Sequence, residues 1–319
     1  MIIDFPTRED FFKTSEDYLN SSWDSVVELL SEFDEVLGLI EDSPHANEAD
    51  RYWDSAKQTL ITSTALVQQA VEFYIKGKIV HISPYLLISG NPQSWPKICN
   101  KNDTSFSAFR SLDAQDLIKV HDTVCEVRFP EKFIQWNERL RIIRNKVMHT
   151  VDKNLSVKPE EVLEFILFTY DHFSDDKDWF KSRKRYLGNL PINSIRYFKE
   201  EDNSNAYLVN GLLNEFTVVV QALSPSLVLK YFNFDKKTRA VHCPNCYKIV
   251  SKMDFFDHEL MDGIGETYQK KKGMAVYDCC ICNRTGTLLD RQCDEEGCEG
   301  KKLHADSGMC LLCGFENAL

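Results

Sequence analysis

Residues 279–313 read CCICNRTGTLLDRQCDEEGCEGKKLHADSGMCLLC and contain seven of the chain's eleven cysteines. With the upstream Cys243-Pro-Asn-Cys246 they form four pairs, continued by Cys279-Cys-Ile-Cys282, Cys293-x4-Cys298 and Cys310-Leu-Leu-Cys313. Zinc prefers four thiolate or imidazole ligands in a tetrahedron, and a two-residue gap lets one tight turn present two sulfurs to one ion. Asn283 follows Cys282 and Gly314 follows Cys313, residues suited to closing such a turn. Eight ligands predict two structural zinc ions. The sequential pairing places Cys243, Cys246, Cys279 and Cys282 on one ion and Cys293, Cys298, Cys310 and Cys313 on the other. An interleaved pairing satisfies the same spacing, Cys280 can replace Cys279, and His304 can stand in for a cysteine. Full sulfur shells leave no position for a catalytic water, and no HExxH or HxE-type motif occurs.

Outward from this stretch the composition changes. Nine of the eleven cysteines lie beyond residue 236, glycine concentrates there, and long apolar periodicity stops. We therefore expect an acidic N-terminal helical arm over 1–46, a helical domain over 47–235 and a zinc-binding module over 236–319. The first residues, MIIDFPTRED, have neither a basic start nor an apolar run, and no eighteen-residue apolar stretch follows. The expectation is a cytoplasmic protein with no membrane partner, in which thiols bind metal rather than pair as disulfides.

The net charge is −11 over 319 residues, and all of that surplus falls within the first 60. Tight nucleic-acid backbone binding needs a basic surface, so bulk electrostatics will not draw this chain onto RNA. Any such contact must come from local groups. Two small basic clusters exist, Lys181–Arg183–Lys184–Arg185 and Lys270–Lys271–Lys272; solvated faces explain most clusters of this kind.

The first three quarters read as mainly α. Apolar residues at helical spacing predict helices over 14–42, capped by Thr14 or Ser15, and over 47–80, stopping near Ser83–Pro84. A polar connection over 85–110 precedes helices over 112–127, from Pro130 to about His149, from Pro159 through Phe173, and over 203–223. Cys99 and Cys125, far apart in this half, read as small buried hydrophobes.

One of these helices carries chemistry. In Trp136–His149, at 100° per residue, Trp136, Leu140, Ile143 and Val147 form a stripe facing the core. Arg141, Arg144, Asn145, Met148 and His149 are then expected on the opposite side. A permanent cation beside a group that titrates near neutrality suits metal-independent RNA cleavage. The imidazole moves a proton, and the guanidinium holds the phosphate. The expected products are a 2′,3′-cyclic phosphate and a free 5′-hydroxyl.

The run Arg144-Asn-Lys-Val-Met-His149 resembles the R-N-x3-H signature of the HEPN superfamily. Leu66–Lys76, with Glu72 and Lys76 four apart, looks like that family's earlier helix, and the segment from Lys158 looks like the helix after its motif. The resemblance covers about residues 50–185. It implies a HEPN-like helical bundle, commonly a homodimer with the two Arg/His motifs facing each other, and in many members a ribonuclease of toxin or antiviral defence systems. By that likeness Arg144 and His149 are catalytic, Asn145 positions them, and Glu72 and Lys76 are either supporting polar groups or a plain i,i+4 ion pair. The fold expected is thus mainly α, with a small zinc-ribbon-like module of short β-strands behind the bundle. The leading expectation is a dimeric endoribonuclease acting on RNA. The competing one is a non-catalytic adaptor in which both halves bind partners. A regulatory protein partner is compatible with either.

Overall fold

The computed structural model describes residues 1–39, 46–96, 103–149, 156–191, 204–236, 243–251, 268–270 and 276–319. The chain is mainly α-helical, with a few short strands and a cysteine-rich C-terminal region. It divides into two compact units. The first comprises Met1–Leu29 and Leu37–Asp175, the second Leu30–Val36 and Asp176–Leu319. The change in composition near residue 236 therefore falls inside the second unit.

In the first unit, α1 spans Arg8–Leu39 and α2 spans Ala46–Ile82. The first helix starts six residues before the Thr14 cap expected from sequence. Thr7 caps it instead: its hydroxyl accepts from the Asp10 amide at 3.1 Å while the Asp10 carboxylate accepts from the Thr7 amide at 2.8 Å. This reciprocal arrangement satisfies two end donors at once. Thr14 and Ser15, inside the helix, turn their hydroxyls back onto the carbonyls of Asp10 and Phe11. A hydroxyl can serve either role, and the local sequence alone does not say which. The long α2 ends at Ile82, just ahead of the Ser83–Pro84 stop read in the sequence.

The polar connection after α2 contains three single 3-10 turns and a strand, β2 (Thr104–Ser105), which pairs in parallel with β1 (Ile2–Ile3). Sequence reading found neither strand, because a two-residue pairing has no periodicity to detect. Then follow α3 (Ala114–Val124), α4 (Glu131–His149) and α5 (Pro159–Phe173), the last starting at its proline as expected. Helix α2 packs against α3, α4 and α5. Its Val67, Val71, Ile75 and Ile79 are buried, as are Leu117 of α3, Phe133 and Leu140 of α4, and Val162 and Ile166 of α5. Trp23 of α1 is fully buried too, and the Ser22 hydroxyl bonds the Ser63 carbonyl of α2 at 3.0 Å. An aromatic stack closes one end: His121 lies on Phe129 at 3.9 Å, Phe129 on Phe133 at 4.5 Å, and Phe133 on His172 at 4.3 Å.

The second unit holds α6 (Trp179–Gly188), α7 (Ser204–Ala222), α8 (Pro225–Phe232) and α9 (Pro244–Val250). Phe180, Phe216, Phe232 and Phe234 pack their rings together at centroid separations of 5.2–5.8 Å. Beyond α9 lies an antiparallel sheet in the order β3 (Tyr268–Lys270), β4 (Val276–Cys279), β5 (Thr285–Asp290), β6 (Lys302–His304). Helices α6, α8 and α9 have no counterpart in the sequence reading. Each is ten residues or fewer, too short for a periodic signal.

One member of the basic cluster at 181–185 is not on the surface. Arg183 is fully buried and holds Glu215 of α7 through two bonds of 2.6 and 3.0 Å. Lys181 and Arg185 both approach Asp176, at 3.1 and 3.7 Å. Arg183 is thereby removed from the surface, while Lys181, Lys184 and Arg185 stay exposed. Of the other cluster, Lys271 and Lys272 lie outside the described residues, as does Cys99.

Candidate metal centres and the Arg144 surface

The eight cysteines come together as two groups of four, Cys243, Cys246, Cys279 and Cys282 in one and Cys293, Cys298, Cys310 and Cys313 in the other. Within each group all sulfurs lie within 4.8 Å of one another. The pairing is sequential, so the interleaved alternative is not the one adopted. The described cysteines are free thiols. Sulfur separations are 3.6 Å for Cys243–Cys282, 3.8 Å for Cys246–Cys279, 3.7 Å for Cys293–Cys313 and 3.8 Å for Cys298–Cys310. A disulfide needs about 2.0 Å. A tetrahedron with metal–sulfur bonds of about 2.3 Å has edges of about 3.8 Å. Two edges of each group match that length and the remaining ones lie within 4.8 Å, so each group could hold such an ion.

Local sequence explains how each group is presented. Cys243 is the residue before α9, Pro244 opens the helix, and Cys246 lies in its first turn. Proline at that position costs no helix hydrogen bond, and the first-turn amides place positive partial charge beside the thiolates. The facing pair sits at the turn between β4 and β5, where Asn283 adopts φ +55° and its amide donates to the Cys279 carbonyl. Cys279, not Cys280, occupies the cluster. Four sulfurs this close, three of them buried, cannot all ionise without a cation. Hydrogen bonding to the Cys243 sulfur pushes the Cys246 thiol up and pulls Cys282 down, well away from the usual thiol range in both cases. A divalent ion would remove that conflict.

The second group uses a loop and a knuckle. Cys293 follows β5, and the turn after β6 brings Cys310 and Cys313 back to it. Gly314, at φ +77°, closes the knuckle where the Tyr247 ring of α9 covers it, so a Cβ there would stand 2.6 Å from that ring. Backbone amides of Gly300 and Leu312 donate to the sulfurs of Cys298 and Cys310 at 3.3 and 3.4 Å. Amide-to-sulfur bonds of this kind stabilise thiolate charge. His304 is not a ligand: its Nδ1 meets the Ser307 hydroxyl at 2.8 Å, and four sulfurs are already in place. Sequence reading missed Asn317, which is 5% exposed. Its amide contacts Cys293 Sγ at 3.7 Å and the carbonyls of Gly308 and Phe315, and its Oδ1 accepts from the Asp294 amide at 2.6 Å. Nothing in a spacing pattern marks it, since it belongs to no cysteine pair.

The candidate catalytic residues lie at the end of α4 in the first unit. The buried line along this helix is Phe133, Asn137 and Leu140; Trp136 and Ile143 flank it half-buried, and Ile142 is 49% exposed. Arg144 is eleven residues past Phe133, almost in register with that line at 100° per residue. It therefore emerges at the rim of the core, half-buried, rather than on the far side as the helical projection from Trp136 suggested. Asn145 is exposed, and its Oδ1 accepts from Arg144 Nη1 at 3.1 Å. Arg139 pairs with Glu161 at 2.8 Å and Arg141 with Glu138 at 3.0 Å. Among the described residues Arg144 has no carboxylate partner. The helix runs on to His149, whose side chain, with those of Val147 and Met148, lies outside the described residues.

Glu72 and Lys76 of α2 are each only 9% exposed. Glu72 accepts from Gln68 at 2.6 Å, and Lys76 reaches the Ser111 hydroxyl at 3.4 Å. Burial pushes the Lys76 amine below its usual value, with Glu72 and Asp113 acting the other way. No helix among the described residues is long and apolar enough to cross a membrane. No known protein family, curated protein or solved structure matches the chain.

Proposed function

We propose that this chain is a metal-independent endoribonuclease of HEPN type, acting as a cytoplasmic homodimer, with a C-terminal module held together by two structural zinc ions. The observation that carries the nuclease reading is the state of Arg144. It is the α4 arginine without an acidic partner among the described residues, and it is held by the neutral amide of Asn145. A guanidinium so placed can accept a phosphate without first giving up an ion pair. His149 follows on the same helix and supplies the proton transfer to or from the ribose 2′-hydroxyl and the leaving oxygen. The sequence likeness provides the dimer and the setting, a toxin or antiviral effector. Zinc is favoured at the cysteine sites by all-sulfur tetrahedral geometry; when bound, it stabilises the module's fold and takes no part in RNA cleavage.

The test is incubation of the purified protein with RNA in Mg2+-free buffer, reading the product ends. The expected result is 2′,3′-cyclic phosphate ends, with His149→Ala and Arg144→Ala each slowing cleavage by about 10²–10⁴-fold while circular dichroism stays unchanged. Undiminished cleavage by both variants, or none by the wild type on any RNA class, overturns the nuclease reading and leaves the metal sites standing.

A further inference from the structure

The two cysteine groups differ in how their sulfurs are supported, and one residue accounts for much of the difference. In the second group the backbone amides of Gly300 and Leu312 donate to the sulfurs of Cys298 and Cys310. Both donors lie two residues after the cysteine they support, and each supports only its own arm. Asn317 is of another kind. Its side chain spans both arms of the site: Oδ1 accepts from Asp294 in the first arm, while Nδ2 faces Cys293 Sγ and two carbonyls of the second arm, Gly308 and Phe315. Its own backbone amide also donates to Gly308 at 3.1 Å. Its two N–H protons are shared among three acceptors, the carbonyls of Gly308 and Phe315 at 3.1 Å and, as the longer branch of a bifurcated bond, Cys293 Sγ at 3.7 Å, where a thiolate gains negative charge.

We propose that Asn317 is a positioning residue of the second four-cysteine site, fixing Cys293 relative to the Cys310–Cys313 knuckle and donating a hydrogen bond to the Cys293 thiolate when metal is bound. Two consequences follow from its contacts. Because it ties the arms together through backbone groups, it holds the sulfurs near their metal-binding positions before an ion arrives, which raises affinity by reducing the ordering cost. Because it donates to sulfur, it withdraws charge from one of four thiolates around a divalent ion, a cluster of net charge −2. The first site has no side-chain amide of this kind among the described residues. The inference rests on metal occupying these sites, and its test separates the two.

Purified protein is loaded with Co2+ as a spectroscopic substitute for zinc, and the bound ions are counted by native mass spectrometry. Wild type is expected to bind two. Asn317→Asp keeps the size and the acceptor for the Asp294 amide but removes both N–H donors and adds a negative charge. It should bind the second ion at least tenfold more weakly, with the first unaffected. At saturating Co2+, the sulfur-to-cobalt charge-transfer band of the second site should move to lower energy, which a purely structural role would not produce. Asn317→Leu, which keeps volume but no polar atom, should show the same band shift wherever it still binds. Two ions bound by either variant with wild-type affinity and an unshifted band overturn the role of Asn317 while leaving the metal sites intact. Failure of the wild type to bind any ion removes both.

Discussion

Gly300 offers the sharpest test of the metal geometry, because the space around it is defined by sulfur. It lies two residues after Cys298, donates its amide to that cysteine's sulfur, and accepts from the Cys293 amide at 2.8 Å. A Cβ placed on it would stand 2.4 Å from Cys310 Sγ and 3.2 Å from Cys298 Sγ. An ordinary contact begins near 3.4 Å, so the Cys310 sulfur would have to retreat by about 1 Å, whereas metal–ligand bonds tolerate only about 0.2 Å. Leu312 Cβ, also 3.2 Å from the added Cβ, crowds it from another side. Gly300→Ala should therefore cost the second site its ion while the first keeps its own. The assay is metal stoichiometry by native mass spectrometry, paired with release into a chromophoric chelator. Wild type should give two ions and the variant one. Gly297→Ala serves as control. A Cβ there meets nothing within 4 Å, so only the strain of φ +81° is added, at a cost of about 1 kcal/mol with both ions retained. If Gly300→Ala held two ions with unchanged release kinetics, the close sulfur packing inferred for this site would be wrong.

Two further outcomes follow from buried polar groups. Arg183→Met removes both bonds to the Glu215 carboxylate and should destabilise the second unit by about 3–5 kcal/mol, whereas the double change Arg183→Met with Glu215→Leu should recover part of that loss; equal destabilisation by both, measured by urea unfolding, would show that the pair is not acting as a unit. Burial lowers the pKa of His121, against the opposing effect of Asp122 and with the help of Lys78. The native state therefore prefers the neutral ring, and the unfolded chain takes up a proton first as pH falls below its ordinary value of about 6.5. Stability should be complete above that value and decline as pH drops towards the folded pKa. The melting temperature of His121→Gln should decline less over the same range, and parallel curves for the two proteins would refute the assignment.

What the sequence determined by itself was local. Proline at 159 and the Ser83–Pro84 pair bound helices because they restrict the backbone of their own and adjacent residues. Two-residue gaps between cysteines, followed by Asn283 or Gly314, specify turns that aim two sulfurs the same way. Those signals act over a few residues and were readable without a structure. Tertiary structure decided everything that depends on which segments meet. The sequential grouping of the eight sulfurs is set by α9 facing the β4–β5 turn, not by spacing. Arg183 and Arg144 carry the same charge in the sequence, yet one is buried against Glu215 while the other stands at the rim of its bundle with only a neutral amide. Asn317 gained its place through contacts to residues 9, 23 and 24 positions away. Short-range rules fix backbone conformation because steric exclusion is local; the partner of a charge or a thiolate is chosen by packing, which joins residues that the chain keeps apart.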